Sequence, residues 1–122
     1  MIKDYRHLLG TPYLVNGRQP KIGMDCSGVL EQVLLMEGRD IPMGAIPTRD
    51  SHPTVQWERI GDSPWCATKI GDAIVGYTRK ATMHIWTFIG EDKVLTAALC
   101  TGTSIIRMGR IQSKLEGVYR LK

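Results

Sequence analysis

A cysteine at the predicted start of a helix is the group in this sequence best suited to covalent chemistry. Cys26 follows Asp25, whose carboxylate can accept hydrogen bonds from free backbone N–H groups, and apolar residues recur at helical spacing up to Gly38. The pattern predicts a helix over residues 26–37. The positive end of a helix dipole favours the thiolate, which is the nucleophilic form, so Cys26 is our candidate nucleophile.

A cysteine nucleophile needs a proton acceptor within hydrogen-bond reach, and histidine, which titrates near neutrality, is the usual one. The chain has three histidines. His7 falls in a predicted N-terminal helix and His52 in an irregular region, whereas His84 begins the most convincing strand. Because a strand holds a side chain more rigidly than a loop does, we expect His84 to be the general base.

The elements that must hold these groups are predicted to be helices followed by strands. A short helix is expected over residues 2–9, and another over residues 54–60 within an otherwise irregular stretch from 39 to 70. Five segments rich in β-branched and apolar residues follow, at 73–77, 83–89, 93–99, 103–108 and 117–121. Helices first and antiparallel strands afterwards indicate a single α+β domain over residues 1–122.

Charge and hydropathy argue against several classes of protein. The formal net charge is +4, and the cations are scattered without interleaved aromatic residues, so we expect no nucleic-acid partner. No apolar run approaches the roughly 20 residues that a membrane span needs. The N-terminus lacks the apolar core of a signal peptide, so we expect the protein to be made in the cytoplasm.

The cysteines and glycines favour neither a metal site nor a cofactor. Cys26, Cys66 and Cys100 are widely spaced and include no C-x-x-C pair, which argues against a disulfide framework and a structural zinc site. We interpret Cys66 and Cys100 as small buried apolar groups. The glycines form no phosphate-binding motif, and we expect no cofactor.

Several short motifs occur in the order typical of one enzyme family. They are LGTPY at residues 9–13 followed by NG at 16–17, DCSG at 25–28, GD at 71–72 before an apolar strand, HIWTFIG at 84–90, and KVL at 93–95. With these motifs the chain resembles the NlpC-like cell-wall peptidases, cysteine peptidases with a papain-like fold. The resemblance implies N-terminal helices, with the nucleophile helix packed on a five- to six-stranded antiparallel sheet.

The resemblance also implies roles for individual residues. Cys26 would be the nucleophile and His84 the general base, and the backbone N–H of Cys26 could contribute to an oxyanion hole. Tyr13, Asp25 and Ser27 match positions that bind the free amino end of the substrate in family members cleaving peptidoglycan stems. Core packing by Tyr13 and plain helix capping by Asp25 and Ser27 are the structural alternatives.

Thr96 stands where the family usually has a third catalytic histidine, asparagine or glutamine. A two-residue loop at positions 91–92 would place Leu95 and Ala97 on the face of His84, whereas a three-residue loop including Lys93 would place Thr96 there. Only the second arrangement offers His84 a polar partner, so we predict that Thr96 orients the base. A backbone carbonyl or Gln56 is the alternative.

The resemblance implies hydrolysis of an amide bond after a D-glutamyl residue in peptidoglycan stem peptides. An amidase or acyl transferase on the same fold is one alternative, and a non-catalytic cell-wall-binding or phage-tail module is another. Because the substrate lies outside the cytoplasm, we expect export by phage lysis, a phage tail or a specialised secretion partner. The aromatic residues Trp57, Trp65 and Trp86 are expected in the core, with lining of a cleft as the alternative.

Overall fold

The computed structural model describes residues 4–47, 55–77, 83–98, 101–111 and 114–122. In this part of the chain one helix packs against a six-stranded antiparallel sheet, and a two-stranded sheet lies beside the start of the helix. The small sheet pairs β1 (Arg18–Gln19) with β2 (Gly23–Met24). The helix, α1, spans Cys26–Met36. This arrangement confirms the expected α+β class.

The large sheet has the order β3-β8-β4-β5-β6-β7, so the last strand of the chain lies between β3 and β4. Its strands are β3 (Trp57–Gly61), β4 (Ala73–Tyr77), β5 (Met83–Gly90), β6 (Lys93–Ala98), β7 (Gly102–Arg107) and β8 (Lys114–Leu121). The five strands predicted from the sequence are all present, and β8 begins three residues earlier than expected.

The predicted helix over residues 2–9 is wrong for the part of it that the structure describes. From residue 4 onward the chain forms successive turns, with Leu8 N–H bonded to Tyr5 O and Leu9 N–H to Arg6 O. Tyr5 and Leu8 are buried nevertheless, because they pack against α1 and β6 in the core. Tertiary contacts therefore bury these apolar side chains without a helix, and residues 2 and 3 lie outside the described part.

The predicted helix over residues 54–60 is also wrong, since residues 57–61 form the edge strand β3. In a helix Trp57 and Ile60 would share one face, but here they pack on opposite faces of the sheet. The strand takes its backbone hydrogen bonds from β8, more than fifty residues away, with a bulge between Arg59 and Gly61. Non-local pairing has overridden the local spacing.

Different parts of the chain pack against the two faces of the sheet. On one face lies α1, whose buried side chains Val29, Leu30, Val33 and Leu34 pack against β4, β5 and β6. On the other face the alternate strand residues, including Ile74, Phe88 and Val118, pack against Ala67 and Met108. Side chains one residue apart on β5 thus enter different cores.

Candidate functional site

The start of α1 is fixed by two contacts of its cap residue. Asp25 accepts a hydrogen bond from Gly28 N–H at 2.9 Å, which confirms the predicted cap, and another from Asn16 N–H at 2.7 Å. The second bond ties the helix to the preceding loop. Gly28 is required by the same junction, because a Cβ there would collide with the carbonyl oxygen of Gly17. Cys26 is therefore held as the first residue of a helix anchored on both sides.

The strands β5 and β6 open beside this helix start. Their ladder runs from the Gly90/Lys93 pair to Thr87/Leu95 and ends there, although β6 continues to pair with β7 as far as Ala98. Beyond Thr87, the N–H and C=O groups of Ile85 find other partners. The Ile85 N–H lowers the pKa of the Cys26 thiol, and the Ile85 carbonyl accepts a hydrogen bond from Thr96 Oγ1 at 2.8 Å.

His84 is bonded to Thr96 in this opening. The distance from His84 Nε2 to Thr96 Oγ1 is 2.8 Å. A hydroxyl has one hydrogen, and that of Thr96 is donated to Ile85 O, so Thr96 must accept the bond from His84 Nε2–H. The neutral ring then carries its proton on Nε2 and its lone pair on Nδ1, which is the atom that can accept a proton as a general base.

Thr96 reaches His84 by a different route from the one predicted. The loop between β5 and β6 is the two-residue turn Glu91–Asp92, not a three-residue loop that includes Lys93. A bulge at Ile89, between the Phe88/Val94 and Gly90/Lys93 pairs, shifts the register by one residue. That shift turns Thr96 onto the face of His84. The predicted contact is present, but the bulge creates it.

Burial governs the protonation of the candidate pair. It lowers the pKa of His84 to about 4, and burial also raises the pKa of Cys26. At the thiol, the N–H of Ile85 lowers the pKa, and the negative charge of Asp25 raises it further. Hydrogen bonds from Ser27 lower the pKa by smaller amounts. The helix start therefore does not give Cys26 a depressed pKa, contrary to the sequence-based expectation. At neutral pH both shifts favour the uncharged form, a thiol at Cys26 and an imidazole at His84.

The three residues predicted to bind substrate differ in their access to solvent. Asp25 and Ser27 are 2% and 1% exposed. The hydroxyl of Ser27 has no regular hydrogen-bond partner among the described residues. Tyr13 is half-buried and lies against Met24 through an isolated bridge, which brings its backbone close to the helix start. Asp25 and Ser27 are thus enclosed on either side of Cys26 in the chain, whereas Tyr13 approaches the helix start through its backbone.

The other candidates that the structure describes lie apart from this group. His7 is exposed on the N-terminal turns, and Gln56 precedes β3, which is separated from β5 by two other strands. Cys66 is half-buried, against the backbone of Gly61. His52 and Cys100 lie outside the described residues.

Two features of the site had little or no signal in the sequence. The backbone groups of Ile85 act through main-chain atoms, which no residue type encodes. Trp57 and Trp86 are buried as predicted, whereas Trp65 is 63% exposed and its predicted core position is wrong. Trp86 also contacts His84. Its position two residues after His84 on a strand was the available signal, because such residues share a face.

The described residues contain no group of three or more histidine, cysteine or acidic side chains arranged to hold a metal ion. Among the same residues, no helix is both long enough and apolar enough to cross a bilayer. The chain matches no protein-family model, and no curated protein is similar enough in sequence to count as a relative. The function of the site must therefore be argued from its geometry.

Proposed function

We propose that this protein is a cysteine peptidase with a papain-like fold that hydrolyses an amide bond in peptidoglycan stem peptides, after a D-glutamyl residue. The observation that carries the proposal is the chain of contacts in the opening between β5 and β6. The N–H of Ile85 lowers the pKa of Cys26, the adjacent residue His84 bonds to Thr96, and Thr96 bonds back to the Ile85 carbonyl. A nucleophile, a base and an orienting group are the parts that acyl transfer requires.

The protonation states support activation during the attack itself. At neutral pH the raised pKa of Cys26 and the lowered pKa of His84 leave the thiol protonated and the imidazole free to accept. As sulfur bonds to the substrate carbonyl carbon, the thiol proton passes to Nδ1 of His84. The imidazolium then protonates the leaving amine, and water hydrolyses the thioester with His84 again as base.

The start of α1 suits the charge that develops on the carbonyl oxygen. The first N–H groups of a helix have no partner within the helix, so the N–H of Cys26 can donate to an oxyanion. Asp25 suits the other end of the substrate, the free amino group that the resemblance implies. Its partners among the described residues are two backbone N–H groups, which leave its negative charge without a cation.

The test is hydrolysis of purified muropeptides by the wild type, Cys26→Ser and Cys66→Ser. We expect the wild type and Cys66→Ser to release peptides with a new amino terminus, detected by mass spectrometry. Cys26→Ser should lose nearly all activity, because a hydroxyl is a far weaker nucleophile than a thiol at this pH. Equal hydrolysis by wild type and Cys26→Ser would remove Cys26 from the mechanism.

A non-catalytic cell-wall-binding or phage-tail module is the second candidate, and the enclosure of the site favours it. Cys26 is 4% exposed, and burial raises its pKa. The two candidates differ in thiol reactivity. A catalytic Cys26 should react with iodoacetamide at neutral pH far faster than Cys66 or Cys100, whereas uniformly slow alkylation together with co-sedimentation with purified cell walls would support the binding module.

The substrate lies outside the cytoplasm, so the proposal includes a route to it. Phage lysis, assembly into a phage tail or a specialised secretion system would each bring the protein to the wall. Fractionation of a culture that expresses the protein from its own locus would test this part, since a peptidase of stem peptides must be found with the wall or outside the cell.

A further inference from the structure

We propose that Trp86 is a positioning residue for His84, holding the imidazole so that Nε2 stays bonded to Thr96 and Nδ1 is left as the proton acceptor. The two rings project from the same face of β5, two residues apart. Their centroids are 4.5 Å apart and their planes meet at 68°. This is the edge-to-face arrangement that aromatic rings prefer. The contact thus has a favourable geometry in addition to its proximity.

The need for such a residue follows from the character of Thr96. A carboxamide or imidazole partner would restrain His84 through a planar group, whereas a hydroxyl accepts the Nε2–H through one atom. The ring torsion of histidine is broad, so one bond leaves the imidazole free to tilt about that bond. The indole of Trp86 removes this freedom because it occupies the space beside the ring.

Trp86 also keeps water from the His84–Thr96 bond. Trp86 is 7% exposed and Thr96 is 5% exposed, and the indole packs in the core on the side of the sheet opposite α1. Water at this place would compete for the Nε2–H and weaken its preference for Thr96. Exclusion of water therefore has the same result as restraint of the ring. Both hold His84 in one tautomer, with Nδ1 as its proton acceptor.

The tautomer can be measured from the ring ¹⁵N shifts of His84 at pH 7, with His84→Gln to assign its signals. Wild type and Trp86→Phe should show the Nε2–H form, because phenylalanine keeps an aromatic edge. Trp86→Leu, which keeps apolar volume without a ring, should show a mixture of tautomers. Phe88→Leu is the matched control, since Phe88 lies on the same face of β5 and is 5% exposed, and it should keep the wild-type tautomer.

The expected effect on Cys26 reactivity rests on the proposed function, whereas the expected effect on the His84 tautomer does not. Alkylation of Cys26 at pH 7 should fall about tenfold in Trp86→Leu and remain unchanged in Phe88→Leu, because a misplaced base transfers the proton less well. A single Nε2–H tautomer in Trp86→Leu would overturn the inference and leave Trp86 as core packing. If Trp86→Leu shows mixed tautomers but the wild type hydrolyses no muropeptide, the inference about Trp86 is supported and the proposed function is wrong.

Discussion

The two ends of the β5–β6 pair are built from similar residues but behave differently. From the Glu91–Asp92 turn to Thr87 and Leu95 the strands are paired, and side chains such as Phe88, Val94 and Leu95 are buried in the two cores. Beyond that point the strands separate, and the polar groups of Ile85 serve Cys26 and Thr96 instead of a neighbouring strand.

The difference shows how a sheet can supply a polar site without polar sequence. A buried backbone group must find a partner, and in the paired end the neighbouring strand provides it. In the open end the side chains of the site provide it, so Ile85 contributes through its main chain while its own side chain stays in the core. Changes at the open end should therefore alter the reactivity of Cys26, with or without a loss of stability, whereas changes at the paired end should alter stability alone.

The largest effect is expected from His84→Gln, at the open end. Removal of the base should reduce muropeptide hydrolysis, and the alkylation rate of Cys26, by roughly 10²- to 10⁴-fold. The rates should be measured at pH 7 with His7→Gln as the control, because His7 is exposed. Equal rates for His84→Gln and wild type would mean that the opening is not a catalytic site.

Leu95→Ala is the corresponding change at the paired end. Leu95 is fully buried beneath α1, so its truncation should lower the free energy of unfolding by about 2–5 kcal/mol in urea titrations. The folded variant should alkylate Cys26 at the wild-type rate. Ile105→Ala, at the half-exposed partner position on β7, is the control and should cost much less. A loss of thiol reactivity in Leu95→Ala would contradict the separation of the two ends.

The pH dependence of stability tests the open end again. The pKa of His84 is about 4 in the folded protein and 6.5 in the unfolded chain, so the unfolded state binds the additional proton between these values. Stability should therefore fall as the pH is lowered from 6.5 to 4, by about 3 kcal/mol in total. His84→Gln should lack this part of the dependence. Parallel curves for the two proteins would show that His84 ionises as readily in the fold as outside it.

The smallest effect is expected from Thr96→Val, which removes the hydroxyl and keeps the shape. Two polar groups, His84 Nε2–H and Ile85 C=O, lose their partner, and we expect a destabilisation of about 1–3 kcal/mol with a modest fall in Cys26 alkylation. Thr96→Ser should restore both quantities to near wild type. A Thr96→Val protein as reactive as wild type would assign the orientation of His84 to other groups.

The sequence predicted those elements whose hydrogen bonds or apolar spacing depend on residues close together in the chain. Asp25, the apolar spacing and Gly38 predicted α1, and its observed span ends one residue before the expected one. Alternation and turn residues predicted the strands around His84 and Thr96. The contact between these two side chains was predicted from a three-residue loop, which is wrong, and a bulge at Ile89 produces it instead. The edge strand β3 was missed because its pairing with β8 depends on residues far along the chain.

The pKa of Cys26 also depends on residues far along the chain and could not be predicted from the local sequence. Its position at a helix start was readable, and it suggested a lowered pKa because the dipole acts on a thiol within the first turn. Burial acts in the opposite direction and is larger, so the pKa is raised. The extent of burial depends on β4, β5 and the segment around Ala45, which pack against Cys26 in one core.

The sequence by itself determined where the helix begins, which residue caps it, and which strands carry His84 and Thr96, since these features depend on neighbours a few positions apart. Only the tertiary structure decided that β5 and β6 separate beyond Thr87, that the bulge at Ile89 turns Thr96 toward His84, and that Cys26 is a neutral thiol. These features depend on pairing between distant strands and on exclusion of water, neither of which acts through local sequence.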